Sequence, residues 1–305
     1  MSFQFPRNLR PTREIQAWKM QAVGNDFLLV DASAGSRTEN QNWPALAQRL
    51  CARRHGLGAD GLLVITYRRG SSPRMRMWNP DGTEDFCGNG MRCAARYLHD
   101  RALVAGDRFS IRALGATVGV EISHRRSSSP RISLDLGPPR LRPSTIPMRL
   151  PDSAAPVLDH PIRIGGRSLR IAALSTGSTH AIIFCDRLPA EAEVKETGSA
   201  LERHRLFPQR TSVMWVVVDD RRRLRIRIWE RGVGETMGCG SGACAAAVAA
   251  RLHGRTDRVV TVVMPGGAVQ VGFDHDKSVI LTGSAAYVCG VSITLPKASA
   301  AGRRM

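Results

Sequence analysis

The chain has 305 residues, of which 43% are hydrophobic, and it carries a formal net charge of +18. That length allows a sizeable core in about two domains, while the charge raises nucleic acid or an anionic membrane as possible partners. The basic residues are almost all arginines, scattered in short clusters without interleaved aromatic residues, which favours a solvated basic surface over a nucleic-acid interface.

The number and spacing of the cysteines exclude two classes of protein. There are seven, an odd number, and no C-x-x-C pair is present, which argues against a secreted disulfide framework and against a zinc site. Residues 1–12 hold no apolar signal core, and no apolar run approaches about 18 residues. We therefore expect a cytoplasmic protein with no membrane partner and no bound metal.

The first predicted elements lead toward a cysteine motif. Residues 1–15 are basic and broken by proline, which predicts a loosely held extension. A turn at Gly24 precedes a buried-strand pattern over 27–30. The apolar spacing then predicts a helix over 42–53, and a glycine-rich loop leads into a strand over 62–65.

The cysteine motif itself follows a strand pattern over 74–78. It reads Cys87-Gly-Asn-Gly90 and precedes an alanine-rich helix pattern over 91–98. Alternating apolar and polar residues then predict strands over 109–111, 117–122 and 131–136. The proline-rich stretch 137–160 indicates a crossover between two halves.

The second half repeats this plan around Cys239-Gly-Ser-Gly242. A strand pattern over 224–229 precedes this motif, and a helix pattern over 243–252 follows it. The remaining predicted elements are a helix over 190–205 and strands over 171–174, 181–184, 213–218, 259–263, 269–273 and 279–281.

Three paired landmarks support an internal duplication. Cys87 and Cys239 are 152 positions apart, Trp78 and Trp229 are 151 apart, and Gly24 and Gly177 are 153 apart. Two mostly β halves, each with a helix behind its cysteine turn, predict an α+β protein of two domains that face each other.

The two cysteine turns predict acid–base chemistry. A thiol at a helix N-terminus lies at the positive end of the helix dipole, which favours the thiolate, and the free N–H groups there suit a carboxylate. Cys87 and Cys239 on opposing walls could therefore remove and return a proton on opposite faces of one α-carbon. The alternative is that both are small hydrophobes at tight turns. The other five cysteines carry no such motif and are predicted to be structural.

At this point the chain resembles the diaminopimelate epimerase family, the cofactor-independent two-cysteine racemases. The stretches that carry the resemblance are Lys19–Phe27, Arg54–Leu62, Trp78–Glu84, Cys87–Cys93, Trp229–Thr236, Cys239–Cys244 and Pro265–Gly267. They lie in family order from about residue 17 to residue 295.

The resemblance implies a fold of two pseudo-symmetric domains, each a mostly antiparallel sheet wrapped around a central helix, with the active site between them. The domains would be 16–140, with a returning strand near 288–297, and 141–287, leaving 1–15 and 298–305 as flexible tails. It further implies a homodimer, a small amino-acid substrate and no cofactor.

The resemblance also implies roles for individual residues. Cys87 and Cys239 would be the two catalytic bases, and His180 and Glu230 would activate and orient them. The substrate-binding residues would be Asn25, Asn79, Gly88, Asn89, Ser178, Ser212, Arg231, Gly240 and Ser241, with the backbones at Gly88, Asn89, Gly240 and Ser241 holding the reacting carboxylate.

The chain departs from the family pattern at two of these positions. Ser178 and Ser212 stand where family members typically carry asparagines that recognise the distal end of diaminopimelate. A serine offers one hydroxyl in place of an amide's donors and acceptor, so the change affects specificity and leaves the thiols intact. The substrate is then diaminopimelate or another diamino or basic amino acid, such as 2,4-diaminobutyrate, histidine or lysine.

Two other interpretations remain open. The net charge permits a nucleic-acid-binding or scaffolding protein on the same fold, which salt-sensitive duplex binding would reveal. A related isomerase or proline-derivative epimerase is a third candidate, although such relatives often differ at one or both cysteine positions.

Overall fold

The computed structural model describes residues 13–33, 41–123, 129–274 and 278–295. Four α-helices lie in this part of the chain: α1 (Trp43–Cys51), α2 (Gly88–Asp100), α3 (Glu191–Glu202) and α4 (Gly240–Leu252). All four are at the places that the apolar spacing predicts, with ends that differ by three residues or fewer. Two short 3-10 turns, Pro143–Thr145 and Asp152–Ala154, lie in the proline-rich crossover.

The strands form two series in chain order, first those before the proline-rich crossover and then those after it. The first series is β1 (Arg13–Ala22), β2 (Asn25–Asp31), β3 (Gly61–Thr66), β4 (Arg74–Trp78), β5 (Glu84–Asp85), β6 (Arg108–Ala113), β7 (Ala116–Ser123) and β8 (Arg131–Asp135). The second is β9 (Val157–Ile164), β10 (Arg167–Ser175), β11 (Thr179–Phe184), β12 (Ser212–Asp220), β13 (Arg223–Glu230), β14 (Gly234–Glu235), β15 (Val259–Met264), β16 (Gly267–Phe273), β17 (Val279–Gly283) and β18 (Ala286–Leu295).

The two halves share one pairing scheme. In the first half the parallel pairs are β2 with β3 and β4 with β6. In the second they are β11 with β12 and β13 with β15, at the equivalent places. The other pairs are antiparallel, and β8 pairs with β17 to join the halves. The predicted α+β fold, a duplicated and mostly antiparallel sheet, is confirmed.

Strands β2 and β11 are buried on both faces, which explains their continuous apolar runs. Along β2, Phe27 and Leu29 pack in the core that contains α2, while Leu28 and Val30 face the cluster that contains α1. The same alternation occurs on β11, where Ile182 packs with α4 and Ile183 belongs to the cluster with α3. Helices α2 and α4 are therefore central and α1 and α3 are outer.

The composition of α4 fits its central place. Its residues 243–250 are seven small side chains and one valine, all of them buried. Small side chains let the strands of the surrounding sheet approach the helix on every side. Within the described residues, no helix is both long and apolar enough to cross a membrane.

The last strand returns to the first half. β18 pairs antiparallel with β1 along residues 13–21. The predicted extension over 1–15 is therefore too long, because β1 begins at Arg13 and Ile15 is buried in the core. Residues 1–12 and 298–305, predicted as tails, lie outside the described residues. The domain boundary near residue 140 stays a prediction.

One close contact fixes how the halves meet. Gly266 lies in the turn between β15 and β16, and a Cβ added there would be 2.1 Å from the carbonyl oxygen of Val23. Val23 is in the turn between β1 and β2, two residues before Asn25. Only glycine permits this backbone approach, so the second half holds the turn that carries Asn25.

Candidate active site

Cys87 and Cys239 occupy matched positions in the two halves. Each is the N-cap residue of its helix, with extended backbone angles, and each Sγ accepts a hydrogen bond from a backbone N–H at the third position of the turn. The distances are 3.5 Å from Gly90 N to Cys87 Sγ and 3.4 Å from Gly242 N to Cys239 Sγ. The predicted helix-terminal thiols are present in both halves.

The two helix N-termini face each other across Leu281. A Cβ on Gly88 would lie 3.5 Å from the Leu281 Cδ2 atom, and a Cβ on Gly240 would lie 3.0 Å from the same atom. Asn89 of α2 crosses this gap and donates to the carbonyl of Gly238, at 3.1 Å. The first N–H groups of α2 and α4 therefore converge on one region between the halves.

A set of polar groups surrounds Cys239. Its Sγ lies 3.5 Å from Ser241 Oγ, which lies 3.3 Å from His180 Nε2. The Glu230 carboxyl group lies close enough to the Cys239 thiol to raise its pKa, and Thr236 Oγ1 donates to Glu230 Oε1 at 2.5 Å. Cys239 is thus placed between a carboxyl group and a hydroxyl–imidazole pair.

Amides instead surround Cys87. Its Sγ–H donates to Asn25 Oδ1 at 3.5 Å. Asn89 Nδ2 donates to the same oxygen at 3.3 Å. The other end of the Asn25 amide is bound by Asp60, whose Oδ2 accepts a hydrogen bond from Asn25 Nδ2 at 2.6 Å. The environments of the two thiols therefore differ, although their backbones match.

The prediction that the helix N-termini lower the thiol pKa values is wrong. Burial raises the pKa of Cys87 to about 11, and the N–H of Gly90 offsets only part of this rise. Burial likewise raises the pKa of Cys239 well above its usual range, and the neighbouring Glu230 carboxylate adds to it. Desolvation disfavours the charged form more than two or three hydrogen bonds favour it, so both thiols are protonated near neutral pH.

The two candidate orienting groups are also shifted by burial. Burial raises the pKa of Glu230, and hydrogen bonds with Thr236 and Cys239 offset part of the rise. Burial lowers the pKa of His180 to about 4, and the Arg231 cation acts in the same direction. His180 is therefore neutral at pH 7, which leaves the Glu230 carboxyl group as the ionisable neighbour of the Cys239 thiol.

No described hydrogen bond joins the predicted distal residues to either thiol. The hydroxyl of Ser212 accepts from the backbone N–H of Arg231 at 3.1 Å, and Arg231 Nη1 donates to the Gln209 carbonyl at 3.2 Å. Ser178 is half-buried, two residues before His180. Asn79 bonds locally to Thr83 Oγ1 at 3.1 Å, and none of its described hydrogen bonds reaches a thiol.

Sequence reasoning missed four residues that support the site. Thr176 donates to the Ser241 carbonyl at 2.7 Å, and Thr236 bonds to Glu230. Asp60 orients Asn25, and Arg92 donates to Asn89 Oδ1 at 2.8 Å. Asp60 and Arg92 lie inside stretches that carry the family resemblance, but their sequence positions give no sign that they contact site residues.

A family model described as diaminopimelate epimerase matches residues 17–142 and 172–288. The chain belongs to the diaminopimelate epimerase family. It is 40% identical over 272 residues to a diaminopimelate epimerase of Moorella thermoacetica, covering 88% of this chain and 96% of that protein. It is 36% identical over 271 residues to one of Desulfitobacterium hafniense, covering 88% and 95%. Membership in this family makes the chain an isomerase, an amino-acid epimerase.

Solved structures with low sequence identity show the same fold. A hydroxyproline epimerase of Agrobacterium vitis matches with a TM-score of 0.67 and 13% identity, covering 93% of each chain. A phenazine biosynthesis protein of Bacillus anthracis matches with a TM-score of 0.64 and 17% identity, covering 93% of this chain and all of that one. These two matches establish the fold alone.

Proposed function

We propose that this diaminopimelate epimerase family member inverts the α-carbon of an amino acid by a two-thiol mechanism without a cofactor. The observation that carries the proposal is the matched pair of N-cap thiols, Cys87 and Cys239, on two helices whose N-termini converge. A two-base inversion needs one acid and one base on opposite faces of the reacting carbon, and a duplicated fold provides such opposed groups.

The substrate's α-carboxylate binds at the converging N-termini. The N–H groups at Gly88, Asn89, Gly240 and Ser241 lie in the first turns of α2 and α4, where no helical carbonyl accepts from them. Four donors and two helix dipoles also stabilise the negative charge that builds up on the carboxylate when the α-proton leaves. This charge stabilisation replaces the electron sink that a cofactor would supply.

Proton transfer begins at Cys239. Glu230 accepts the proton of the Cys239 thiol, and the resulting thiolate removes the α-proton from one face of the substrate. The Cys87 thiol then donates its proton to the opposite face and becomes the thiolate. The high thiol pKa values serve this step, because a thiolate formed in a desolvated site is a stronger base. Reversal of the same steps converts the other epimer.

The substrate side chain extends toward Ser178, Ser212 and Arg231. Arg231 has no carboxylate partner among the described residues, and its side chain is bound only to the Gln209 carbonyl. A free guanidinium favours a distal carboxylate, such as that of diaminopimelate, over the ammonium of lysine or 2,4-diaminobutyrate. The Ser212 hydroxyl already accepts from the Arg231 backbone, so it is left with its proton to donate.

A substrate panel tests the proposal. Diaminopimelate, 2,4-diaminobutyrate, lysine and histidine are each incubated with the enzyme in deuterated water, and loss of the α-proton signal is followed by NMR. We expect exchange with at least one, fastest with diaminopimelate. Arg231→Gln should raise KM for diaminopimelate, whereas the exposed Arg205→Gln should not. Absence of exchange with the whole panel would rule out the proposed reaction on these substrates.

A further inference from the structure

Four side chains form a continuous hydrogen-bonded chain next to Cys87. Arg92 Nη2 donates to Asn89 Oδ1 at 2.8 Å, and Asn89 Nδ2 donates to Asn25 Oδ1 at 3.3 Å. Asn25 Nδ2 in turn donates to Asp60 Oδ2 at 2.6 Å. Two neutral amides therefore lie between a cation at one end and an anion at the other.

The charged ends determine which way each amide points. A guanidinium has only donors, so it selects the oxygen of Asn89, and a carboxylate has only acceptors, so it selects the NH2 group of Asn25. The groups left between the amides are then the NH2 of Asn89 and the oxygen of Asn25. The Asn25 oxygen is consequently the atom that faces the Cys87 thiol.

This orientation matters for the proton on Cys87. The Asn25 oxygen accepts from the thiol at 3.5 Å, which favours the neutral S–H form. If the Asn25 amide were flipped, its NH2 group would face the Cys87 sulfur and favour the thiolate instead. The orientation of one amide thus decides whether Cys87 is presented as a proton donor.

The described residues of the second half form no equivalent of this hydrogen-bonded chain. The position that matches Asn25 is Ser178, and the position that matches Arg92 is Cys244. Cys239 has Glu230 and Ser241 as neighbours instead. The asymmetry around the two thiols therefore comes from these side chains and not from the backbone.

Arg92 is unusual for a structural arginine. Its side chain is fully buried, and Nε and Nη1 have no hydrogen-bond partner in the described part of the chain. Its guanidinium packs against backbone, since a Cβ on Gly283 would lie 3.3 Å from Cζ. Burying a guanidinium with one described bond is costly, and an orienting role for Asn89 gives a reason to retain it.

We propose that Arg92 and Asp60 are positioning residues that fix the amides of Asn89 and Asn25 and so present Cys87 as the proton donor. This inference rests on the proposed function, in which Cys87 returns the proton. Neither residue needs to touch the substrate, because each acts through the asparagine beside it.

The test at the Asp60 end uses Asp60→Asn, which no longer forces the Asn25 amide into one orientation. The rate at which iodoacetamide alkylates Cys87 is measured by peptide mass spectrometry, with the exposed Cys289 as internal reference. A lowering of the thiol pKa by one unit gives about a tenfold faster reaction. Arg53→Met is the matched control, because it removes the ion pair to Asp60 Oδ1 and leaves the Oδ2 bond to Asn25.

The outcomes at this end are distinct. Faster alkylation of Cys87 in Asp60→Asn, with Arg53→Met near the wild-type rate, supports the inference. An unchanged Cys87 rate in Asp60→Asn, or equal changes in both variants, overturns it. The assay needs no turnover, so an enzyme inactive on every amino acid would disprove the proposed function while this measurement still decides the inference.

The Arg92 end is tested by rescue. Arg92→Lys keeps a cation that donates to Asn89, whereas Arg92→Met keeps the volume alone. We expect Arg92→Met to lose about tenfold or more in kcat with little change in KM, and Arg92→Lys to recover most of it. Equal kcat in the two variants, or a change confined to KM, overturns the role of Arg92. If Arg92→Met does not fold, Arg92→Lys is compared with wild type, and a lysine variant as inactive as Cys87→Ala overturns it.

Discussion

Asn89 in the first half donates a hydrogen bond to the carbonyl of Gly238 in the second half, at 3.1 Å. Both groups are buried, and Gly238 directly precedes Cys239. A residue of the Cys87 turn therefore holds the turn that carries Cys239, and the spacing of the two thiols depends on this contact.

Asn89→Ser tests that contact. Serine occupies the equivalent position 241, but its side chain is too short to reach Gly238 from position 89. Leaving a buried carbonyl without its partner costs about 1–3 kcal/mol, so we expect the free energy of unfolding in urea to fall by that amount. Asn79→Ser, which removes only a local bond to Thr83, should cost less. Equal losses in the two variants would contradict the contact's importance.

The raised thiol pKa values predict how alkylation depends on pH. The pKa of Cys87 is about 11, so its thiolate fraction should rise about tenfold per unit from pH 7 to pH 10. Iodoacetamide labelling of Cys87, read by mass spectrometry in the substrate-free enzyme, should therefore keep accelerating throughout this range. A plateau near pH 7 would mean that the helix N-terminus outweighs burial.

His180 predicts a loss of stability in acid. Its pKa is lowered to about 4 by burial, whereas in the unfolded chain it is near the usual value of about 6.5. Below pH 6.5 the unfolded chain therefore binds a proton at His180 that the folded protein does not bind. The free energy of unfolding falls as a result until the pH reaches about 4. The difference corresponds to about 3 kcal/mol. Urea unfolding of His180→Gln should show a shallower decline over this range than wild type, and parallel curves would contradict the assignment.

Gly266→Ala tests the contact between the halves. The added Cβ would lie 2.1 Å from the backbone carbonyl of Val23, which no side-chain rotation can relieve. We expect a loss of about 1–3 kcal/mol in the free energy of unfolding, together with lower kcat, because the displaced turn carries Asn25. Gly272→Ala is the control, since its Cβ meets only ordinary contact at 3.7 Å. A Gly266→Ala enzyme with wild-type stability and kcat would refute this account.

The fold was largely predictable because its signals are local. The alanine-rich patterns behind Cys87 and Cys239 predict α2 and α4, and the shared offset of about 152 residues predicts the duplication. The start of β1 was not predictable, because Arg13 joins the sheet only by pairing with Leu295 of β18, 282 positions away in the chain. Strand pairing of that kind depends on the whole fold.

The places of the two thiols at helix N-termini were predictable, whereas their electrostatics were not. The Cys-Gly-x-Gly turns identify both thiols, but their pKa depends on how much of the protein covers them, and the turn itself carries no such information. The same holds for Asp60 and Arg92, which reach the site through Asn25 and Asn89. A hydrogen-bonded chain across four separate sequence positions becomes visible only when the fold brings them together.

The measurement that tests the central claim most directly is α-proton exchange by matched cysteine variants. Cys87→Ala and Cys239→Ala each remove one proposed base, while Cys93→Ala and Cys244→Ala remove buried thiols from the same two helices. In deuterated water with the best substrate, we expect epimerisation to be lost in the first two variants and retained in the second two. Full epimerase activity in either Cys87→Ala or Cys239→Ala would contradict the two-thiol mechanism.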